Sequence, residues 1–346
     1  MNNSYEDVFT EAEQLLKNNQ DQDAEEKYLL LYDKAHKELS PIVSFRLGEI
    51  YNRKKWVKES SQFHTNAFLQ DPLLANKLIP ETHPMYHFNY LSFKESEHKV
   101  TACPLCSLQG ELHSCYNSLT NVDFVQGFNP VRIWMQCRSC NHIFAHNYPI
   151  ELNKILTNSS PELYFQQRVE TLPIIGDIFS NIKRFSKGSK LLDIGTGAGE
   201  MAAVAKEFLY SITGVEIRPV YAKHVSDTLE IPIVKTDIMH YETNELYDVI
   251  ILGDIIEHTP EPLKVLKKVR TLLKKDGILW ISTPNFESGY TAIMKDKDAM
   301  WRVCEHVNYF SYTSLLKALE ISGFVCMEYS ASKRFYGSME LIVTKQ

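Results

Sequence analysis

Leu191-Leu192-Asp193-Ile194-Gly195-Thr196-Gly197-Ala198-Gly199-Glu200 runs from a short apolar segment through three glycines, each separated by one residue, into the start of a helical pattern. Strand, turn and helix follow one another within ten residues. Glycine allows the positive φ of such a turn and lets a ligand approach the backbone closely. A dinucleotide fingerprint has the spacing GxGxxG and seats a pyrophosphate on the helix N-terminus. Here the spacing is GxGxG, and Asp193 stands two residues before it. A carboxylate at that point repels a pyrophosphate but suits an ammonium group. Asp193, Gly195, Gly197 and Gly199 are therefore expected to hold a cofactor with an amino-acid end.

Downstream, short apolar runs alternate with amphipathic stretches, the pattern of an α/β domain with a largely parallel sheet. LLDIG, ITGVEI, IPIVKTD, YDVIILGD, GILWIST, FVCMEYS and MELIVTK supply seven candidate strands. The last two lie close together, so an antiparallel hairpin is expected to close the sheet. Glu216 ends the second strand, where a carboxylate can accept both hydroxyls of a ribose. Gly253 and Asp254 end the fourth, at the carboxyl edge where such sheets bind ligands.

Upstream the pattern differs. Residues 1–80 read as helices, and Leu47, Gly48, Tyr51, Ser60, Ala67 and Pro72 fall where a tetratricopeptide repeat wants its packing residues. Val8, Ala12, Leu15, Ala24 and Tyr28 fit the same template one period earlier, and His64 stands where phenylalanine is usual. A plain helical bundle is the alternative. Cys103-Pro-Leu-Cys106 and Cys137-Arg-Ser-Cys140 are two matched CxxC knuckles that can place four thiolates around one structural Zn²⁺. A redox dithiol is the competing reading, but it needs only one pair. β-forming runs between the knuckles suggest a zinc ribbon within residues 81–148. Residues 149–188 read as a helical connector and 189–346 as the α/β domain.

Acidic residues outnumber basic ones, 43 to 37, so no global positive field is present to hold a nucleic-acid backbone. The seven cysteines and the polar start MNNSYEDVFTEAEQ do not suggest a secreted disulfide framework. No apolar run approaches the roughly 20 residues that span a bilayer. The expected location is the cytoplasm.

On the residues DIGTGAG, VEI, KTDI and YDVIILGDIIEHTPEPLKVLKKVRTLLKKDGILWISTPN, the chain from Ser189 to Lys345 resembles the class I S-adenosylmethionine-dependent methyltransferases. The resemblance implies a doubly wound seven-strand sheet and S-adenosylmethionine as cofactor. It places the glycines and the Gly253-Asp254 pair at the methionine part, Glu216 at the ribose, and Asp237 with Ile238 beside the adenine. Asp237 can alternatively be a helix N-cap.

Methyl transfer requires the acceptor to be held against the methyl group and to lose a proton. Two Glu-His pairs offer a base, Glu257-His258 and Glu305-His306, since histidine can accept a proton near neutral pH. For His258, packing ahead of Pro260 and Pro262 is the alternative. The stretch Arg302-Val-Cys-Glu-His-Val-Asn-Tyr-Phe-Ser resembles an EHxxYFS motif, and the order of zinc segment, connector and core is similar to the sugar C-methyltransferases acting on nucleotide-linked ketosugars. That likeness implies His306 as general base, Glu305 and His258 in support, and Tyr164 of the connector as an acceptor contact. Arg302 is a candidate for a substrate phosphate or carboxylate. The expected acceptor is a small molecule or carbohydrate. The N-terminal helices, additional to those enzymes, suggest a protein or peptide partner as the alternative acceptor, with RNA disfavoured by the charge.

Overall fold

The computed structural model describes residues 4–34, 39–92, 97–120, 124–158 and 169–346. Helices α1 (Tyr5–Lys17), α2 (Asp21–Lys34), α3 (Ser40–Arg53) and α4 (Val57–Gln70) form two helical pairs. Ser4 opens α1 with a capping box to Asp7, and a proline at the N-terminus of α3 fixes its first turn. Ala12, Ala24, Tyr28, Leu47, Ser60 and Ala67 are buried, whereas Val8, Leu15 and Pro72 are partly exposed. A Cβ on Gly48 would come within 2.9 Å of the His64 imidazole, and Ser60 Oγ donates to the Gly48 carbonyl at 2.7 Å. The absent side chain is what lets α4 approach α3.

After the short helix α5 (Ala75–Leu78) come β1 (Glu97–Lys99), β2 (Glu111–Asn117), β3 (Val131–Gln136), β4 (Ile143–Ala145) and β5 (Asn147–Pro149). Strands β2, β3 and β4 form an antiparallel sheet, and β1 pairs with β5. The connector supplies α6 (Leu152–Asn158) and α7 (Leu172–Phe185).

The last part contains β6 (Lys190–Ile194), α8 (Glu200–Glu207), β7 (Ser211–Val215), α9 (Pro219–Leu229), β8 (Ile233–Val234), β9 (Tyr247–Gly253), α10 (Pro262–Leu272), β10 (Leu273–Pro284), α11 (Gly289–Met294), β11 (Asn308–Tyr309), α12 (Tyr312–Ile321), β12 (Phe324–Ala331) and β13 (Ser338–Lys345). All seven expected strands form one sheet of order β12-β13-β10-β9-β6-β7-β8, parallel except for β13, which lies antiparallel between β10 and β12. The central strand β9 buries four consecutive residues, Val249 to Leu252, as a strand covered on both faces must. Leu191, Val249, Ile251 and Trp280 pack with α7 and α8 on one face. Leu192, Ile250, Leu252 and Leu279 pack with α10 and α12 on the other. The two-residue alternation thus builds two helix layers around the sheet.

Two features join the parts. Cys103, Leu105, Met135, Cys137 and Phe144 share the core under α10 and α12. The long excursion after β10 sends β11 back to pair antiparallel with β4, making a four-stranded sheet of order β11-β4-β3-β2. Trp301, Cys304, Val307 and Tyr309 of that excursion pack with Trp134 and with Phe45 and Phe68 of the N-terminal helices. Among the described residues, no helix is long and apolar enough to cross a membrane.

Candidate active site

A cavity of about 950 Å³ opens at the carboxyl edge of the parallel strands, lined among others by Gly195, Gly197, Glu216, Asp237, Ile238, Gly253, Asp254, Glu257, His258, Glu305 and His306. The glycine turn forms its floor. Gly195, Gly197 and Gly199 have φ of +73°, +54° and +93°, so all three need glycine's conformational freedom. Gly199 is the N-cap of α8 and packs against Val225. It shapes the turn without lining the cavity.

Glu216 is 4 % exposed. Its two carboxylate oxygens accept the backbone N–H groups of Gly197 at 2.9 Å and Arg218 at 2.8 Å. The carboxylate thereby ties the end of β7 to the glycine turn, and each oxygen keeps a lone pair for another donor. Asp193 lies beneath the turn, buried, with Oδ2 unpartnered. Burial first, and the nearby Glu216 second, push its carboxyl up to about 7. Asp237 does act as a cap: its Oδ1 accepts the Met239 N–H at 2.7 Å and opens the short helix Ile238–His240. It also lines the cavity.

Asp254 has a left-handed backbone, φ +54°, and its side chain accepts from Ser282 Oγ at 2.8 Å and from Arg334. Arg334 comes from the β12–β13 hairpin, its guanidinium 5.4 Å from the Trp280 ring and its buried Nε unpartnered. Nothing in the sequence pattern singles it out.

His258 and His306 meet at the far end, with ring centroids 4.8 Å apart. Ligand atoms of Glu257, His258 and His306 all lie within 4.8 Å of one another. His258 Nδ1 is 3.1 Å from the Glu305 carbonyl oxygen, which can only accept. The proton therefore sits on Nδ1, and Nε2 carries the lone pair. Burial, reinforced by Arg218, lowers His258 to about 4. Burial, then His258 and Arg132, hold His306 well below the ordinary histidine value. Its Nδ1 is buried and unpartnered. Glu257 is buried and accepts from Thr283 Oγ1 at 2.9 Å. Burial and the charge of Asp254 raise its carboxyl well above the usual range.

The Glu305 carboxylate, expected to support the base, pairs instead with Arg218 Nη2 at 2.9 Å. Only its backbone carbonyl bonds His258. Arg302 does not line the cavity: it donates to the Asp296 carbonyl at 2.6 Å and stacks 4.9 Å from the Tyr116 ring. Tyr164 lies outside the described residues.

The four knuckle cysteines come together outside this cavity, their sulfurs within 4.8 Å of one another. Three separations, Cys103–Cys140, Cys106–Cys137 and Cys106–Cys140, are 3.5, 3.4 and 3.8 Å. A tetrahedron with bonds of about 2.3 Å has edges of about 3.8 Å. Both knuckles make the same turn, Ser107 N–H to the Cys103 carbonyl at 2.8 Å and Asn141 N–H to the Cys137 carbonyl at 2.9 Å, and Ser107 and Asn141 are both left-handed. Four convergent thiols fit a tetrahedral ion.

Residues 169–329 match the model of a methyltransferase domain family. The chain is 32% identical over 109 residues to a ubiquinone biosynthesis O-methyltransferase of Actinobacillus pleuropneumoniae serotype 7 (strain AP76), covering 28% of this chain and 47% of the relative. A protein of the same description from Vibrio vulnificus (strain YJ016) is 31% identical over 106 residues, covering 28% and 45%. The chain thus spans about half the length of the curated relatives it matches. Among solved structures, magnesium protoporphyrin IX methyltransferase from Synechocystis PCC 6803 with bound SAM aligns with TM-score 0.45 at 15% identity, over 58% of this chain and 100% of that one. The mitomycin 7-O-methyltransferase aligns with TM-score 0.44 at 18% identity, over 51% and 54%. The glycine turn and Glu216 lie within residues 169–329, the stretch that matches a methyltransferase domain.

Proposed function

We propose that this protein transfers a methyl group from S-adenosylmethionine to a sugar or sugar-derived small molecule, with His306 as general base. The observation that carries the reading is the meeting of His258 and His306 in the same cavity as the glycine turn and Glu216. The cofactor, when bound, supplies a methyl group already activated on a sulfonium. The protein's own part is to bind, orient and deprotonate. Glu216 offers lone pairs to the ribose hydroxyls, and Asp193 offers a carboxylate to the methionine ammonium beside Asp254, which is paired with Arg334. His306, kept neutral by burial, has a lone pair to take a proton from the acceptor. His258 is fixed in one tautomer beside it. Glu257, with its raised carboxyl, is the group in reach that holds a proton most readily once ionised.

The sugar assignment rests on the EHxxYFS motif and on the zinc-like segment ahead of the core. The names of the curated relatives favour a hydroxyl on a small molecule, and both acceptors need the same base. The four cysteines are proposed to hold one structural Zn²⁺, since all four sulfurs converge and close pairs cross between the knuckles. The N-terminal helices are proposed as two tetratricopeptide-like repeats, and the divisions 1–80, 81–148, 149–188 and 189–346 as the domain plan. A peptide or protein recruited by the repeats is the second reading of the acceptor.

Isotopically labelled S-adenosylmethionine offered to fractionated small-molecule, peptide and RNA extracts decides the class. Label is expected in the small-molecule fraction and lost in His306→Ala, while S-adenosylhomocysteine affinity is retained. Label in peptide or RNA alone defeats the sugar reading, and full turnover in His306→Ala defeats the base. Elemental analysis is expected to find about one zinc per chain, reduced in Cys137→Ser.

A further inference from the structure

Glu216 and Glu305 belong to opposite ends of the cavity and lie far apart in the chain, yet one side chain connects them. Arg218 donates its backbone N–H to Glu216 Oε1 at 2.8 Å. Its Nη2 meets Glu305 Oε1 at 2.9 Å, and its Nε donates to the Leu156 carbonyl of α6 at 3.1 Å. Three walls of the cavity are therefore pinned to one residue: the end of β7, the excursion that carries the His306 base, and the connector helix. From Glu305 the chain of contacts continues through its carbonyl to His258 Nδ1 at 3.1 Å. The pair is well shielded, with Arg218 and Glu305 side chains 21% and 5% exposed, so it is screened far less than a surface ion pair. A planar guanidinium can serve several acceptors in fixed directions, which an ammonium cannot.

We propose that Arg218 is a positioning residue which sets His258 and His306 from the ribose end of the cofactor pocket, so that filling that pocket completes the acceptor site. The inference rests on the cofactor assignment made above for Glu216. It goes beyond that assignment by linking cofactor occupancy to the geometry of the base. The physical path is contiguous. Ribose hydroxyls would donate to the Glu216 carboxylate that holds the Arg218 backbone, and the Arg218 guanidinium holds the carboxylate that precedes His306. Arg218 also stands near His258 as a positive charge that favours its neutral form, which gives the link a second, electrostatic consequence. Reciprocity requires that if the cofactor orders the acceptor end, occupation of the acceptor end tightens the cofactor by the same factor.

The test uses the full chain labelled at histidine, with S-adenosylhomocysteine as probe, and reads the imidazole resonances of His258 and His306 by NMR together with the affinity by calorimetry. In the unsubstituted chain, adding S-adenosylhomocysteine is expected to move both imidazole signals. In Arg218→Gln the probe is expected still to bind, the response of the two imidazoles to be lost, and His258 to titrate closer to its ordinary value. Arg218→Lys, which keeps the charge but not the fork, is expected to restore the His258 titration without the response to the probe. Retention of the full response in Arg218→Gln overturns the proposal. Binding by the unsubstituted chain with no movement of either imidazole also overturns it, leaving the cofactor assignment intact. No binding by the unsubstituted chain defeats the cofactor assignment itself, and the coupling with it.

Discussion

His142 of the cysteine-knuckle segment and Asn308 of the excursion meet side chain to side chain, Nε2 to Oδ1, at 2.8 Å in the buried interior. Asn308 Nδ2 turns the other way and donates to the Thr259 carbonyl at 2.7 Å. One amide thus fixes the excursion, two residues after His306, to the loop that carries His258 and to the neighbouring sheet. Burial holds His142 at about 4, so at neutral pH it is uncharged and its Nε2–H donates. Asn308→Ala leaves that group without a partner. The expected loss is about 1–3 kcal/mol of stability, read from urea midpoints. S-adenosylhomocysteine affinity is expected to stay unchanged while turnover falls. A variant as stable and active as the parent would remove this bond from the architecture.

Much of this was legible in the sequence, for identifiable reasons. The central parallel strands announce themselves because strands buried on both faces are continuous apolar runs, as in Val249 to Leu252. The glycine turn is legible because positive φ demands glycine, and the cysteine knuckles because two matched CxxC pairs are a conspicuous spacing. Arg218, Arg334 and Asn308 were not legible. Each is one polar residue outside any long helix or strand, and its role depends on where a distant part of the chain folds back. The two-residue β11 has no period to detect. Glu305 stands out in the sequence as half of a Glu-His pair, but a side chain's direction cannot be read from adjacency, and it points to Arg218.

Cofactor binding should depend on pH through Asp193. Its carboxyl is raised to about 7, so it is largely ionised only above that pH, and only the ionised form attracts an ammonium. Affinity for S-adenosylhomocysteine is expected to rise from pH 6 to pH 8. Asp193→Asn should bind more weakly at pH 8 and show a flatter profile. Calorimetry across that range checks it, and a profile of the same slope in both proteins would assign the dependence elsewhere.

The glycines of the turn should not be equivalent. A Cβ on Gly195 would lie 2.1 Å from Ile255 Cδ1, whereas on Gly197 nothing approaches nearer than 3.8 Å. Both substitutions incur the cost of a left-handed alanine, about 1–2 kcal/mol. Only Gly195→Ala must also displace Ile255, which lines the cavity. Thermal denaturation should therefore show Gly195→Ala the less stable of the two, and equal losses would contradict the close contact.

Acid should destabilise the fold before carboxylates dominate. Burial lowers His64 to about 3 and His113, His142 and His258 to about 4, and holds His306 well below its ordinary value. In the unfolded chain these groups protonate near 6.5. The unfolded state therefore binds more protons between those values, and stability drops as pH falls from about 6.5 towards 4. Asp193, Glu257 and Glu340, raised chiefly by burial, act in the opposite direction, losing stability as pH rises, but the histidines outnumber them. Urea midpoints are expected to be lower at pH 5 than at pH 7.5; the reverse order would mean that the histidines are not buried in the neutral form.

The pairing of β11 with β4 bears on the order in which the protein assembles. The Asn308 and His142 that meet there are 166 residues apart in the chain, whereas the glycine turn and Glu216 are joined across 19. Contacts between distant residues carry a larger loop-closure cost and tend to form late. The cofactor end can therefore mature from local structure, and the acceptor end waits for the knuckle segment to be in place. During folding, cofactor competence should precede catalytic competence.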